Sequence, residues 1–139
     1  MRGIVQSGWA GLEVTGEDVL TIGDTPHEWL FPRMAAAAHH CGAGTTAAAL
    51  RAGIPSIALP GAVGDQPFWA RRLHMLGAAT TPLPQRHLTA QRLADTLRTT
   101  LATADLRHTT RRLADHIAGE GGTPAAVAAI ERLLYSPHR

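Results

Sequence analysis

The sequence has little of what several classes of protein require. It contains one cysteine, Cys41, which excludes an internal disulfide and a cysteine-rich metal site and fits a cytoplasmic protein best. No apolar run reaches the length of a membrane span, and residues 1–6 lack the apolar region of a secretion signal. All 13 basic residues are arginines scattered among acids, with a formal net charge of only +2. A nucleic-acid partner, which needs a basic stripe interleaved with aromatic residues, is therefore not expected.

The length of 139 residues is enough for one domain with a real core. We predict a single domain, in which residues 1–85 form an α/β region and residues 86–139 form C-terminal helices. Strands are predicted at residues 3–7, 19–22, 35–39, 56–59 and 78–81, the first of them buried. Helices are predicted at residues 45–52 and 68–76, with a single helical turn at 29–33.

Strands that alternate with helices indicate a parallel sheet with helices on both faces. Ligands of such sheets bind beyond the carboxyl ends of the strands. The turns that gather at that edge are predicted to be those at Trp9, residues 24–27, residues 40–45 and residues 61–66. Several turns that converge on one edge are a stronger indication of a site than any one of them.

The segment from His39 to Thr46 has the pattern of a phosphate-binding turn. It follows an apolar segment and precedes the helix formers of residues 47–51. Gly42 and Gly44 allow close approach of a ligand, and the first turn of a helix has free N–H groups and a partial positive charge. His40 and the hydroxyl of Thr45 add donors for an anion. The alternative is an ordinary strand-to-helix turn with two ordinary histidines. A metal site is not expected, because no matching His/Cys pair lies nearby.

The C-terminal part of the sequence is helical. Thr89 is a candidate N-cap for one helix, and a second helix is predicted at residues 104–118. Glycines at 119, 121 and 122 end that helix. Thr123 is predicted to cap a last helix that has Pro124 at its first position and runs to about residue 134.

Several spaced motifs together resemble a known family. They are residues 39–46, the Leu-Arg-Ala-Gly-Ile-Pro of residues 50–55, the Gly-Asp-Gln-Pro-Phe-Trp of residues 64–69, residues 26–33 and residues 4–9. In this order they closely resemble the nucleotide-sugar-binding, C-terminal half of GT-B glycosyltransferases. The branch is that of the sterol and natural-product (antibiotic) enzymes, related to the UDP-glycosyltransferases. The resemblance implies a Rossmann-like, three-layer parallel sheet flanked by helices, here truncated at its N-terminal edge.

The resemblance also implies roles for individual residues. The donor diphosphate would be bound by His40, Gly42, Gly44 and Thr45, and the donor sugar by Asp65 and Gln66. The nucleobase and ribose would lie near Trp9, Thr25, Pro26 and His27. Taken alone, Asp65 and Gln66 could instead cap the helix that follows them. The base of the donor stays open between uridine and thymidine.

The implied chemistry is an inverting, metal-independent transfer of a hexose from a UDP- or dTDP-sugar to a small lipophilic acceptor, without a cofactor. No catalytic residue is expected in this chain, because the family places the general base and the acceptor pocket in an N-terminal domain. We therefore expect the chain alone to be inactive, and we expect self-association or a partner chain at the truncated sheet edge. The alternatives are a non-catalytic nucleotide-binding or partner-docking protein and an inert remnant of such an enzyme.

Overall fold

The computed structural model describes residues 1–8 and 11–135. Trp9, which was predicted to lie near the nucleobase, is outside the described residues. Within them the chain contains four strands and six α-helices; the first two strands follow one another, and strands and helices then alternate from residue 19 to residue 75.

The first two strands form a parallel pair. Strand β1 (Gly3–Gln6) lies beside β2 (Val19–Ile22), with Gly3 opposite Val19 and Gln6 opposite Ile22. The positions agree with the sequence prediction, but the predicted burial of the first strand is wrong. Ile4 is 39% exposed, and neither strand contains a fully buried residue. The apolar side chains of this pair are therefore at most half-buried, and Ile22 packs against the hydrophobic core.

The second parallel pair is the buried one. Strand β3 (Ala37–His39) lies beside β4 (Ser56–Ala58), with Ala38 opposite Ile57. All three residues of β4 are buried. Beyond β4, the strand predicted at residues 78–81 is reduced to one isolated parallel bridge between Ser56 and Ala79.

The parallel strands and flanking helices agree with the predicted α/β class, but the sheet is divided. Within residues 1–8 and 11–135, β1–β2 and β3–β4 are separate two-stranded sheets. The sequence predicted an unpaired edge where the sheet is truncated. Among the described residues, β1 and β3 each have one unpaired edge, and residues of both strands line the cavity between the two pairs.

The helices lie close to their predicted positions. They are α1 (His27–Leu30), α2 (Ala43–Arg51), α3 (Gln66–Met75), α4 (Ala90–Ala102), α5 (Ala104–Ala118) and α6 (Gly122–Tyr135), and a 3-10 turn, Phe31–Arg33, follows α1. The predicted cap of α4 is confirmed, because the Thr89 hydroxyl accepts a hydrogen bond from the N–H of Arg92 at 3.2 Å. The predicted start of the last helix is wrong, because Pro124 is its third residue. The first turn of a helix tolerates proline, since its N–H groups have no intrahelical partner.

Two hydrophobic clusters stabilise the β3–β4 half. One contains Leu30, Phe31, Ala37, Ala48, Ala49 and Ile54. The other contains Cys41, Ala58, Ala70, Leu73, Ala78 and Ala79, with Trp69 and Leu113 packed against it. Helix α5 is fixed to the turn after α2, since the buried Thr110 hydroxyl donates to the carbonyl oxygen of Gly53 at 2.9 Å. The β3-to-α2 turn therefore rests on a packed core.

Helix α6 differs from the others because none of its residues is buried. Its apolar side chains, such as Ile130 and Leu133, are exposed. None of the described helices combines the length and the apolar character that a membrane crossing requires.

Candidate functional site

A cavity of about 570 Å³ opens at the carboxyl ends of β1 and β3. Three of the predicted site residues line it: His27, from the predicted nucleobase segment, and His40 and Thr45, from the predicted diphosphate turn. The edge of the strands where they meet is where parallel α/β sheets bind ligands. The structure therefore brings residues from two distant segments of the sequence into one space.

The buried side chain of His39 organises the turn between β3 and α2. The Nδ1 atom of this buried side chain accepts a hydrogen bond from the backbone N–H of Cys41 at 3.2 Å. Because a backbone N–H can only donate, the proton of the neutral ring lies on Nε2, which donates to the Ser56 hydroxyl at 3.0 Å. Burial lowers the pKa of His39 from 6.5 to about 4, and repulsion from His40 and His27 adds to the effect. His39 is thus a neutral positioning residue.

Cys41 has an unusual backbone conformation in this turn. Its φ is 67°, in the left-handed region that non-glycine residues seldom adopt. The side chain is fully buried, and burial raises the pKa of the thiol to about 11. Such a conformation costs on the order of 1 kcal/mol or more and persists only where its surroundings fix it. Here the bond to His39 and the apolar packing of the thiol do so.

His40 lies above this turn, with its ring against Gly42. A Cβ atom at Gly42 would lie 2.5 Å from Nε2 of His40, so a larger residue would displace the imidazole. The φ of Gly42 is −64°, which any residue can adopt. The limit on side-chain size at position 42 therefore comes from the present place of the His40 ring, not from the backbone. His40 is exposed and can donate to a ligand.

Helix α2 presents unpaired donors beside His40. Its first intrahelical bond runs from the N–H of Thr46 to the carbonyl oxygen of Gly42 at 2.9 Å, which leaves the N–H groups of residues 43–45 without intrahelical partners. A Cβ at Gly44 would meet no atom within 4 Å, so the space over the helix start is open. Among the described residues, the buried hydroxyl of Thr46 has no hydrogen-bond partner.

The predicted nucleobase segment contributes one ring to the cavity. His27 lies parallel to Phe31, with ring centroids 4.5 Å apart. Pro26 occupies the N-cap position of α1, and the Thr25 hydroxyl donates to the carbonyl oxygen of Gly23 at 3.2 Å. His27 is the residue of this segment that the structure places in the cavity.

Asp65 and Gln66 do not line this cavity. Asp65 is the N-cap residue of α3, but its side chain makes no capping bond and instead accepts from the indole N–H of Trp69 at 2.7 Å. The side-chain amide oxygen of Gln66, Oε1, accepts a hydrogen bond from the backbone N–H of Gly61 at 2.8 Å. The capping alternative thus fails for the Asp65 side chain. Trp69 orients Asp65, and their spacing of four residues at the start of α3 was the signal in the sequence.

Comparison with known proteins shows the family to which the chain belongs. A family model described as the C-terminal domain of erythromycin biosynthesis protein CIII-like proteins matches residues 7–133. The chain is 41% identical over 138 residues to a sterol 3-beta-glucosyltransferase of Arabidopsis thaliana, covering 96% of this chain and 22% of that protein. It is 40% identical over 114 residues to the O-mycaminosyltylonolide 6-deoxyallosyltransferase of Streptomyces fradiae, covering 82% and 27%. The chain thus spans about a fifth to a quarter of these relatives' length.

Solved structures agree with this relationship. The glycosyltransferase of kitacinnamycin superposes with a TM-score of 0.82 at 22% identity, over 93% of this chain and 34% of that one. The glycosyltransferase VinC, solved in complex with dTDP, superposes with a TM-score of 0.68 at 26% identity, over 79% and 27%. The predicted fold, the C-terminal half of a GT-B glycosyltransferase, is confirmed.

Proposed function

The chain belongs to the EryCIII-like C-terminal domain family, and from this premise we propose that it binds the nucleotide-sugar donor of a glycosyl transfer. The observation that supports the proposal most directly is the cavity in which His27, His40 and Thr45 meet. Its volume of about 570 Å³ lies in the range typical of small-molecule sites.

In this proposal the donor diphosphate lies over the start of α2. The unpaired N–H groups of residues 43–45 and the positive end of the helix stabilise its charge. The open space above Gly44 admits phosphate oxygens close to the backbone. The exposed His40 imidazole adds a side-chain donor beside them. The nucleoside extends from there toward His27, and its base is uridine or thymidine.

The donor sugar extends toward Asp65 and Gln66. Trp69 holds one carboxylate oxygen of Asp65, which leaves the other for a sugar hydroxyl. The backbone of Gly61 fixes the carbonyl end of Gln66, so that its amide NH₂ is the group available for donation. Both side chains are thus oriented by neighbours before a sugar arrives, which lowers the entropic cost of binding.

The reaction we propose is an inverting displacement at the anomeric carbon by the hydroxyl of a small lipophilic acceptor. The negative charge that develops on the departing diphosphate is stabilised by the start of α2 and by His40, without a metal ion or cofactor. The general base must lie within hydrogen-bond reach of the acceptor hydroxyl, and we assign no residue of this chain to that role. A sterol or natural-product acceptor, a cytoplasmic location and the boundary near residue 85 stay predictions.

Calorimetry with UDP and dTDP tests the donor site. A hydrogen bond to a charged group contributes roughly 1.5–3 kcal/mol, so His40→Ala should weaken nucleotide binding about tenfold or more. His108→Ala, which removes an exposed imidazole of α5, is the matched control and should leave affinity unchanged. If the wild-type chain binds neither nucleotide at millimolar concentration, the proposal is wrong.

A further inference from the structure

The side chain of Gln6 lines the same cavity as His27, His40 and Thr45. Gln6 is the last residue of β1 and is half-buried, so its amide lies at the carboxyl end of the strand, where parallel sheets bind ligands. The diphosphate and the sugar of the proposed donor are bound by other residues. Gln6 is therefore a polar side chain in the cavity that neither of these two parts of the ligand requires.

The carboxylate of Asp24 fixes the orientation of the Gln6 amide. Gln6 lies opposite Ile22, the last residue of β2, so the loop that follows β2 passes beside it. In that loop, Oδ1 of Asp24 accepts a hydrogen bond from Nε2 of Gln6 at 3.1 Å. Because an ionised carboxylate can only accept, the NH₂ end of the amide must face Asp24. The opposite orientation would place two oxygens against each other.

The bond to Asp24 leaves most of the amide free for a ligand. A side-chain amide has two N–H donors and a carbonyl oxygen with two lone pairs. Among residues 1–8 and 11–135, the Gln6 side chain has no hydrogen bond other than the one to Asp24, which uses one donor. Gln6 thus offers one donor and one acceptor side by side, in an order that Asp24 determines.

We propose that Gln6 recognises the edge of the donor's base and selects an imide, the ring N–H between two carbonyl groups that uracil and thymine share. This inference rests on the proposed function, in which the nucleoside extends toward His27 in the same cavity. The Gln6 Oε1 atom accepts a hydrogen bond from the imide N–H, and Nε2 donates to a neighbouring carbonyl oxygen of the ring. Paired contacts between a side-chain amide and a base edge are an established mode of base recognition.

Asp24 makes this contact selective against cytosine. Cytosine has an amino group where uracil has a carbonyl oxygen, and a bare nitrogen where uracil has the imide N–H. To pair with it, the Gln6 amide would have to turn over and place Oε1 against the carboxylate of Asp24. A ligand that leaves polar groups of a site unpaired is rejected. Gln6 is therefore the residue that contacts the base, and Asp24 is a positioning residue.

Calorimetry of the full chain with UDP, dTDP and CDP tests the selection. The wild type should bind UDP and dTDP about tenfold or more tightly than CDP. Gln6→Leu keeps a side chain of similar size and removes both polar groups. It should weaken UDP and dTDP about tenfold and leave CDP nearly unchanged, so that the preference disappears. If Gln6 only ties β1 to the loop after β2, UDP and CDP should instead lose affinity equally, and that result would overturn the inference.

The chain contains a matched control for this variant. On α4, Nε2 of Gln91 donates to Asp95 at 3.0 Å, in the same kind of amide–carboxylate pair, and Gln91 does not line the cavity. Gln91→Leu should leave the affinities for all three nucleotides unchanged. A loss of the preference for UDP in this variant would overturn the inference, because the preference would then not depend on the cavity.

Asp24→Ala tests the positioning role, and it decides the matter if Gln6→Leu fails to fold. Without the carboxylate the Gln6 amide is free to turn over, so the ratio of UDP to CDP affinity should fall toward one although Gln6 is intact. A wild-type ratio in Asp24→Ala would overturn the inference. A wild-type chain that binds UDP and CDP equally would overturn it as well, but would leave the proposed donor site standing. A chain that binds none of the three nucleotides would refute both.

Discussion

Mild acidification should destabilise the protein through His39. This imidazole is buried and neutral, and protonation would place an N–H at Nδ1 directly against the N–H of Cys41. Its pKa is lowered from 6.5 to about 4, whereas in the unfolded chain it returns to about 6.5. Between these pH values the unfolded state binds more protons than the folded state. The contribution of His39 to the free energy of unfolding is therefore fully present above pH 6.5 and is lost as the pH decreases toward 4.

The shift sets the size of the effect. At roughly 1.4 kcal/mol per pH unit it corresponds to about 3 kcal/mol in total, of which about 2 kcal/mol is lost between pH 7 and pH 5. Urea unfolding of wild type and His39→Gln at pH 7, 6 and 5 measures it. Glutamine does not titrate, so its curve should be flatter by that amount, whatever the substitution costs at pH 7. Parallel pH dependences for the two proteins would refute the assignment of a buried neutral imidazole.

The remaining predictions concern the donor site. Gln66→Ala should weaken binding of a nucleotide sugar and leave the free nucleotide unaffected; equal losses in calorimetry would make Gln66 a structural residue. Gly42→Ala should displace the His40 ring and weaken UDP or dTDP binding about tenfold, and unchanged affinity would contradict the role of the ring. Gly44→Ala should raise stability by about 0.5–1 kcal/mol, because its Cβ enters open space, yet weaken the nucleotide; normal binding would mean that phosphate does not approach there. Thr46→Val removes an unpaired buried hydroxyl and should raise the free energy of unfolding by about 1 kcal/mol, measured by urea denaturation. A lower free energy of unfolding would show that the hydroxyl has a partner such as water. The purified chain alone should transfer no sugar from UDP-glucose to a sterol, and turnover would place a base within it.

Local pattern predicted the elements of this fold better than their pairing. The strand at Val19–Ile22, the helix at Ala104–Ala118 and the cap at Thr89 follow from apolar periodicity and capping chemistry, which act over a few residues. Strand pairing depends on residues far apart in the sequence. An apolar pattern shows that Ile4 favours burial, but not whether a neighbouring strand is present to bury it. The division of the sheet into two pairs therefore could not be predicted from the sequence.

For the candidate site too, some features were predicted from the sequence and others were not. Glycine spacing and the family resemblance together predicted donor-binding roles for His40 and Thr45, and both residues line one cavity with His27. The bond between Asp65 and Trp69 and the left-handed backbone of Cys41 were not predicted. Cysteine has no preference for that conformation, so nothing in its identity indicates it. The hydrogen bonds of His39 to Ser56 and to Cys41 join residues of three segments and are likewise seen only in the structure.

The position of Cys41 makes the turn measurable from outside. It is the single thiol of the chain, it has no exposed surface, and its raised pKa keeps it in the unreactive thiol form. A thiol reagent can modify it only when the turn between β3 and α2 opens, and when the turn recloses faster than the reagent reacts, the rate is set by the fraction of open chains. The labelling rate, followed by mass spectrometry, therefore reports the opening free energy of this turn separately from that of global unfolding. A ligand bound at the start of α2 would slow the labelling of Cys41, even if it left the unfolding temperature unchanged.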